Sequence, residues 1–137
     1  MGFLSVENIN ELCRNSLIDH LGITITEMNE NTVRATMPVD NRTKQPLGLL
    51  HGGAVMALAE TVGSLGSYNL VDPLKFDVVG IEINGNHIGN TKSSYVYAVA
   101  KLIHHGKITH VWSVDIFDEE NTPISVCRMT NMVLERN

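Results

Sequence analysis

The fold of this chain is decided between Gln45 and Leu70, QPLGLLHGGAVMALAETVGSLGSYNL. From Gly52 to Val71 the only carboxylate is Glu60. Around it stand Ala54, Val55, Met56, Ala57, Leu58, Ala59, Val62 and Leu65. A helix that is apolar all round is a buried helix. An ionised carboxylate in such a place is costly unless it is paired, hydrogen-bonded or put to use. The stretch is therefore expected to be a central buried helix carrying one deliberate acid. It is long enough to span a bilayer, but Glu60, Thr61, Ser64, Ser67, Asn69 and several glycines favour a soluble core helix.

Before this stretch, Ser5 is expected to cap a short helix, with Val6, Ile9, Leu12 and Cys13 at helical spacing. Ser16 caps a second turn over Leu17–Leu21, ended by Gly22. Ile23, Ile25 and Glu27 alternate with Thr24, Thr26 and Met28 as a strand. After a Glu30-Asn31 turn, Val33, Ala35 and Met37 form a second, and the two make a hairpin closed by Pro38. Val39 to Leu50 is a loop long enough to suggest function. Beyond the helix, which Asp72-Pro73 ends, the pattern is all strand. Val79, Ile81 and Ile83 share one face of a strand near Phe76–Ile88. Val96, Ala98, Ala100 and Leu102 share one face of the next. His110, Trp112, Val114 and Ile116 share one face of another, and Ile124 to Leu134 is the last. His104-His105-Gly106-Lys107 and Asp118 to Asn121 are turns. The expectation is α+β: a curled antiparallel sheet wrapped around one long central helix, with the last four strands in meander. One sheet cannot cover such a helix on every side, so a second subunit is expected on the remaining side.

The 137 residues suggest one domain, 1–137. A net charge of −5 excludes a bulk basic footprint for nucleic acid. From Met1 there is no positively charged start followed by an apolar run, so no signal peptide or membrane partner is expected. Cys13 and Cys127 make neither a metal motif nor a disulfide framework and fit a reducing cytoplasm.

The chemistry gathers at the helix. Gly52 and Gly53 open it, and free N–H groups at the positive end of the helix dipole suit a carbonyl oxygen becoming an oxyanion. A tight loop-to-helix turn would need the same glycines. Glu60 lies eight residues after Gly52, roughly 12 Å along the axis. Two antiparallel helices at a twofold axis would bring each Gly52 to the other chain's Glu60, so a composite site is expected. Ser64 shares a face with Glu60 and could orient it or a water. It also reads as a small residue for close packing. Gln45 and His51 could hold the carbonyl, or His51 could cap backbone groups. His87 reads as an inward-facing, satisfied core histidine. Lys92, Lys101, His104, His105 and Lys107 could meet phosphates or form a solvated rim. No Ser-His-Asp arrangement and no zinc-ligand spacing stands out.

Taken together, QPLGLLHGGAVMALAETVGS, VVGIEINGNHI and HVWSVDIFDEEN resemble the hotdog-fold acyl-CoA thioesterases of the phenylacetate-degradation and hydroxybenzoyl-CoA type. The nearest branch includes the enterobactin proofreading and dihydroxynaphthoyl-CoA thioesterases. The resemblance implies the hotdog fold, with dimers pairing into homotetramers. It implies hydrolysis of an acyl-CoA, aryl or medium-chain, with an acyl-carrier protein as the other possible thiol carrier. Glu60 would be nucleophile or general base. The Gly52 N–H of the facing subunit would polarise the carbonyl. Gln45 and His51 would assist, and Ser64 would place water or Glu60. No metal or cofactor would be needed. His87, Lys92, His104, His105 and Lys107 would serve the substrate and its coenzyme A. The related sequences carry a Leu-Arg-Pro run after the histidine, whereas this chain reads Ile88-Gly89-Asn90-Thr91-Lys92. Two other readings remain at this point: a hotdog hydratase or dehydratase pairing His51 with Glu60, and a non-catalytic acyl-CoA binding module.

Overall fold

The computed structural model describes residues 4–137; residues 1–3, where the reading for a leader begins, lie outside the described residues. Helix α1 spans Val6–Leu12, and the Ser5 hydroxyl accepts from the Asn8 N–H as its cap. Helix α2, Leu17–His20, lacks the expected cap: the Ser16 hydroxyl instead donates to the Cys13 carbonyl. Strands β1 (Thr24–Met28) and β2 (Thr32–Pro38) form the hairpin. A bulge between Ile25 and Glu27 flips the parity of β1, so Met28, not Glu27, packs on the core.

Helix α3 runs Gly52–Tyr68 and ends before the expected Asp72-Pro73. Strands β3 (Phe76–His87), β4 (Tyr95–His105), β5 (Thr109–Asp118) and β6 (Pro123–Glu135) follow. All six strands make one antiparallel sheet in the order β1-β2-β4-β5-β6-β3. The expected four-strand meander holds for β4, β5 and β6 only. Strand β3 crosses to the far side of β6 and becomes a sheet edge, while β2 takes the place beside β4. A strand that precedes β4 in sequence need not neighbour it, because the α3–β3 segment can enter the sheet from either edge.

Bulges in β1, β3, β4 and β6 curl the sheet. Ala54, Val55, Leu58, Ala59 and Val62 of α3 pack into its concave face with Ala98, Trp112, Ile116 and Met129, all buried. Gly63 and Gly66 let the helix approach closely. A Cβ at Gly63 would lie 2.8 Å from Met129 Cγ, and one at Gly66 would lie 2.6 Å from Trp112 Cζ2. The Trp112 indole N–H donates to the Ser67 hydroxyl at 2.9 Å, so the largest core side chain is satisfied by a helix polar group.

As expected of a single sheet, the helix is not covered on every side: Met56, Ala57 and Ser64 are half-buried and Glu60 is exposed. One sheet wraps only one flank of a cylinder, and hydropathy does not say which flank stays open. A sequence expectation fails at β3, where the bulge between Gly80 and Glu82 breaks the parity. Val78 and Ile83 turn toward the interior, while Val79 and Ile81 are 40% and 50% exposed.

Among the described residues no helix is long and apolar enough to cross a membrane. Cys13 and Cys127 are free and buried, and burial raises both thiol pKa values.

Candidate active site

The loop before α3 is held by backbone bonds. His51 N–H donates to the Thr43 carbonyl at 2.8 Å, Gln45 N–H to Leu49 at 2.8 Å and Gly48 N–H to Gln45 at 2.9 Å. Gly48 sits at φ 79°, a backbone region that favours glycine. These bonds fix the point at which the helix starts.

His51 is the N-cap residue, and its Nδ1 accepts the Gly53 N–H at 2.7 Å. The backbone-capping reading of His51 is therefore the one observed. Its Nδ1 must be unprotonated, which leaves Nε2 as the atom able to face a ligand. Ala54 and Val55 N–H groups both donate to the His51 carbonyl. With Gly53, Ala54 and Val55 engaged, no partner for the Gly52 N–H is found among the described residues. One oriented donor is left at the positive end of a 17-residue helix.

Around that donor is a cavity of about 240 Å3 that includes Gln45, Gly52 and His87. The Gln45 side-chain oxygen accepts from the Leu47 N–H, which leaves its amide NH2 for other contacts. His87 is the correction: it does face the helix, but it is exposed and not a core histidine. Its Nδ1 shares a 2.7 Å hydrogen bond with the Ser125 hydroxyl. Its Nε2 lies where a Cβ on Gly52 would be, 2.7 Å from that position. The buried histidine is His110, whose pKa is pushed down to about 4 by burial and then by His105 and His104.

Glu60 is not in this cavity. It lines a second one of about 240 Å3, between α2 and α3. Its carboxylate sits against β3, where a Cβ at Gly80 would fall 2.8 Å from Oε1. Ser64 shares that cavity, and its hydroxyl donates to Asn131 Oδ1 at 3.3 Å. The Asn131 NH2 in turn donates to the Gly63 carbonyl and the Ser67 hydroxyl at 3.0 and 2.9 Å. Ser64 is thus anchored to the sheet.

The basic residues divide. His105 and Lys107 line a cavity of about 390 Å3 at the β4–β5 turn, and His104 lies beside Gly106 there. Lys92 lines a different hollow with Asp118, Glu119 and Glu120, beyond the other end of β4. Within one chain, β4 holds these groups roughly 33 Å apart. Among the described residues no three His, Cys, Asp or Glu side chains converge as metal ligands would.

Residues 47–125, which contain Gly52, Glu60, Ser64 and His87, match the family described as the thioesterase superfamily. The chain belongs to that superfamily. It is a thioester hydrolase, and its sheet wrapped on α3 is the hotdog fold. The chain is 40% identical over 131 residues to the 1,4-dihydroxy-2-naphthoyl-CoA hydrolase of Escherichia coli strain K12, covering 96% of each chain. A thioesterase of Haemophilus influenzae matches with a TM-score of 0.92 and 45% identity, over 98% of this chain and 93% of that one. A mutant thioesterase of Pseudomonas aeruginosa matches with a TM-score of 0.94 and 41% identity, over 97% and 96%.

Two residues at the site of this thioesterase escape a reading of its sequence. Gly80 lets Glu60 lie on β3, yet within VVGIEI it reads only as an interruption of a strand. Asn131 ties Ser64, Gly63 and Ser67 together from β6, and its contacts lie 64 to 68 residues away in sequence. The only available signal was a polar residue at a buried strand parity.

Proposed function

We propose that the chain hydrolyses an acyl-CoA to the free acid and coenzyme A, at a site composed of two subunits. The carrying observation is the unpartnered Gly52 N–H, set at a helix start beside Gln45 and His87, with the only carboxylate of the helix eight residues further on. The thioester carbonyl oxygen accepts from that N–H, which is already oriented toward where negative charge develops. The Gln45 amide and the His51 Nε2 stand at the same helix entrance to hold the carbonyl or the leaving sulfur. The Glu60 carboxylate either attacks the carbonyl carbon, leaving a mixed anhydride that water then opens, or takes a proton from the water that attacks. In both routes the C–S bond breaks, the thiolate leaves and is protonated, and one water is consumed. Ser64, held by Asn131, lines the Glu60 side, where it can position that water.

The two halves must come from different chains. Glu60 lies against Gly80 and Gly52 against His87, seven residues or roughly 23 Å apart along β3. Among the described residues, strand β3 is hydrogen-bonded on one side only, to β6. Its free edge exposes Val79 and Ile81, an edge that invites pairing. Antiparallel pairing with a second copy, centred near Asn84, brings the Gly80 region of one strand beside the His87 region of the partner subunit. Glu60 then meets Gly52 of the partner subunit. The same twofold brings His105 and Lys107 toward Lys92 of the partner subunit, so the divided basic groups can serve one coenzyme A. Such dimers can pair further into tetramers.

The test is free-thiol release from a panel of aryl-, medium- and long-chain acyl-CoAs, with Glu60→Gln in parallel. Wild-type release that falls by about 100-fold or more in the variant, the scale of a lost catalytic group, is expected. Near-wild-type release by Glu60→Gln would refute the assignment.

A further inference from the structure

We infer that the acyl group lies in the cavity between α2 and α3, and that this cavity selects a plain hydrocarbon, alkyl or phenyl, over a hydroxylated one. The inference rests on the acyl-CoA reading above and concerns which acyl group that site accepts. One wall of the cavity is Leu17, Ile18, Leu21 and Ile23. The other is a single face of α3, on which Ala57, Thr61 and Ser64 surround Glu60. Among the described residues, Glu60 is the only charged group in the lining. A thioester carbonyl held between Glu60 and the partner's helix start has this cavity open beside it, and burial of its acyl substituent against the aliphatic walls is favourable.

The lining's polar atoms decide the selectivity. The Thr61 hydroxyl donates to the Ala57 carbonyl at 2.7 Å, within its own helix. The Ser64 hydroxyl donates to Asn131. Both protons are committed, and the side chains of Leu17, Ile18, Leu21 and Ile23 supply only hydrocarbon. A substrate hydroxyl carried to that wall gives up water and gains no donor. Leu17 supports the same conclusion from the protein's side: it is 64% exposed, an aliphatic chain on the cavity wall that a hydrocarbon guest would cover. The cavity volume, about 240 Å3, suits a guest of moderate size.

The test compares kcat/KM of the whole protein for octanoyl-CoA and 8-hydroxyoctanoyl-CoA, and for phenylacetyl-CoA and 4-hydroxyphenylacetyl-CoA, with acetyl-CoA as a short reference. The plain member of each pair is expected to react about 10- to 100-fold better, the range open to an apolar pocket. Ala57→Leu, which narrows the cavity, should lower the octanoyl-to-acetyl ratio about tenfold or more. Leu17→Ala, at an exposed position that folding tolerates, should shift the optimum toward longer chains. Equal or faster hydrolysis of the hydroxylated members would overturn the inference, as would variants that leave the chain-length ratios where they were. Failure of the underlying reading looks different: no thiol is released from any of the five esters.

Discussion

Gly66 shows how little slack the core has at single positions. Its missing Cβ is the space that Trp112 occupies, and Trp112 is wholly buried and held by its bond to Ser67. Gly66→Ala should destabilise the fold by about 1–3 kcal/mol through overpacking, despite its better helix propensity. The midpoint of urea unfolding measures this, and an unchanged or raised midpoint would contradict the packing account. His110 gives a pH dependence. Burial holds its ring neutral, with a pKa of about 4 in the fold against 6.5 for the ordinary side chain. Between those values the unfolded chain binds a proton that the folded chain does not. Its stabilising effect is therefore complete above pH 6.5 and is lost as the pH falls toward 4, by on the order of 3 kcal/mol. His110→Gln should flatten that part of the stability–pH curve relative to wild type, as read by thermal unfolding at pH 7 and pH 4.5.

At the scale of elements, β3 is the strand on which the proposed site depends. Its bulge turns Val79 and Ile81 outward and leaves Gly80 against Glu60. Ile81→Lys places a charge on an already half-exposed edge, so the subunit itself should fold normally. Edge pairing should weaken by more than about tenfold, as edge lysines oppose strand addition. Light scattering should then report monomers at concentrations where the wild type associates, and thiol release should fall in step. A monomeric variant with full turnover would remove the need for a partner. Helix α3 makes the complementary point. Its N-terminus spends three N–H groups within the chain and keeps one, which is why the cap residue and the two glycines belong together.

For the whole molecule, the composite site makes a prediction that no single-chain site shares. Gly52→Pro deletes the oriented N–H at the first helical position, where the backbone accepts proline, and its ring also pushes the His87 imidazole aside. Glu60→Gln deletes the carboxylate. Each variant alone should be nearly inactive. Unfolded together at equal amounts and refolded, half of the dimers are mixed, and each carries one intact site and one doubly altered site. Activity should return to about a quarter of wild type by that statistical mixing. If Gly52 and Glu60 acted within one chain, every site would keep one lesion and nothing would return.

What the sequence determined by itself was periodicity and punctuation. The alternating runs of β4 and β5 placed Val96, Ala98, Ala100, Trp112, Val114 and Ile116 on the buried face, and all are buried. The apolar helix, its HGG start and its lone Glu60 were equally legible, because each is a local property of consecutive residues. The tertiary structure decided what depends on neighbours. Bulges at Thr26 and Ile81 reversed strand parity, and hydrogen-bond register, unlike hydropathy, is fixed only once a partner strand is in place. The sheet covers one flank of α3 and leaves Glu60 exposed, a choice made by curvature. Gly80, Asn131 and the wall of α2 reached the site through contacts far apart in the chain, where packing alone could bring them together.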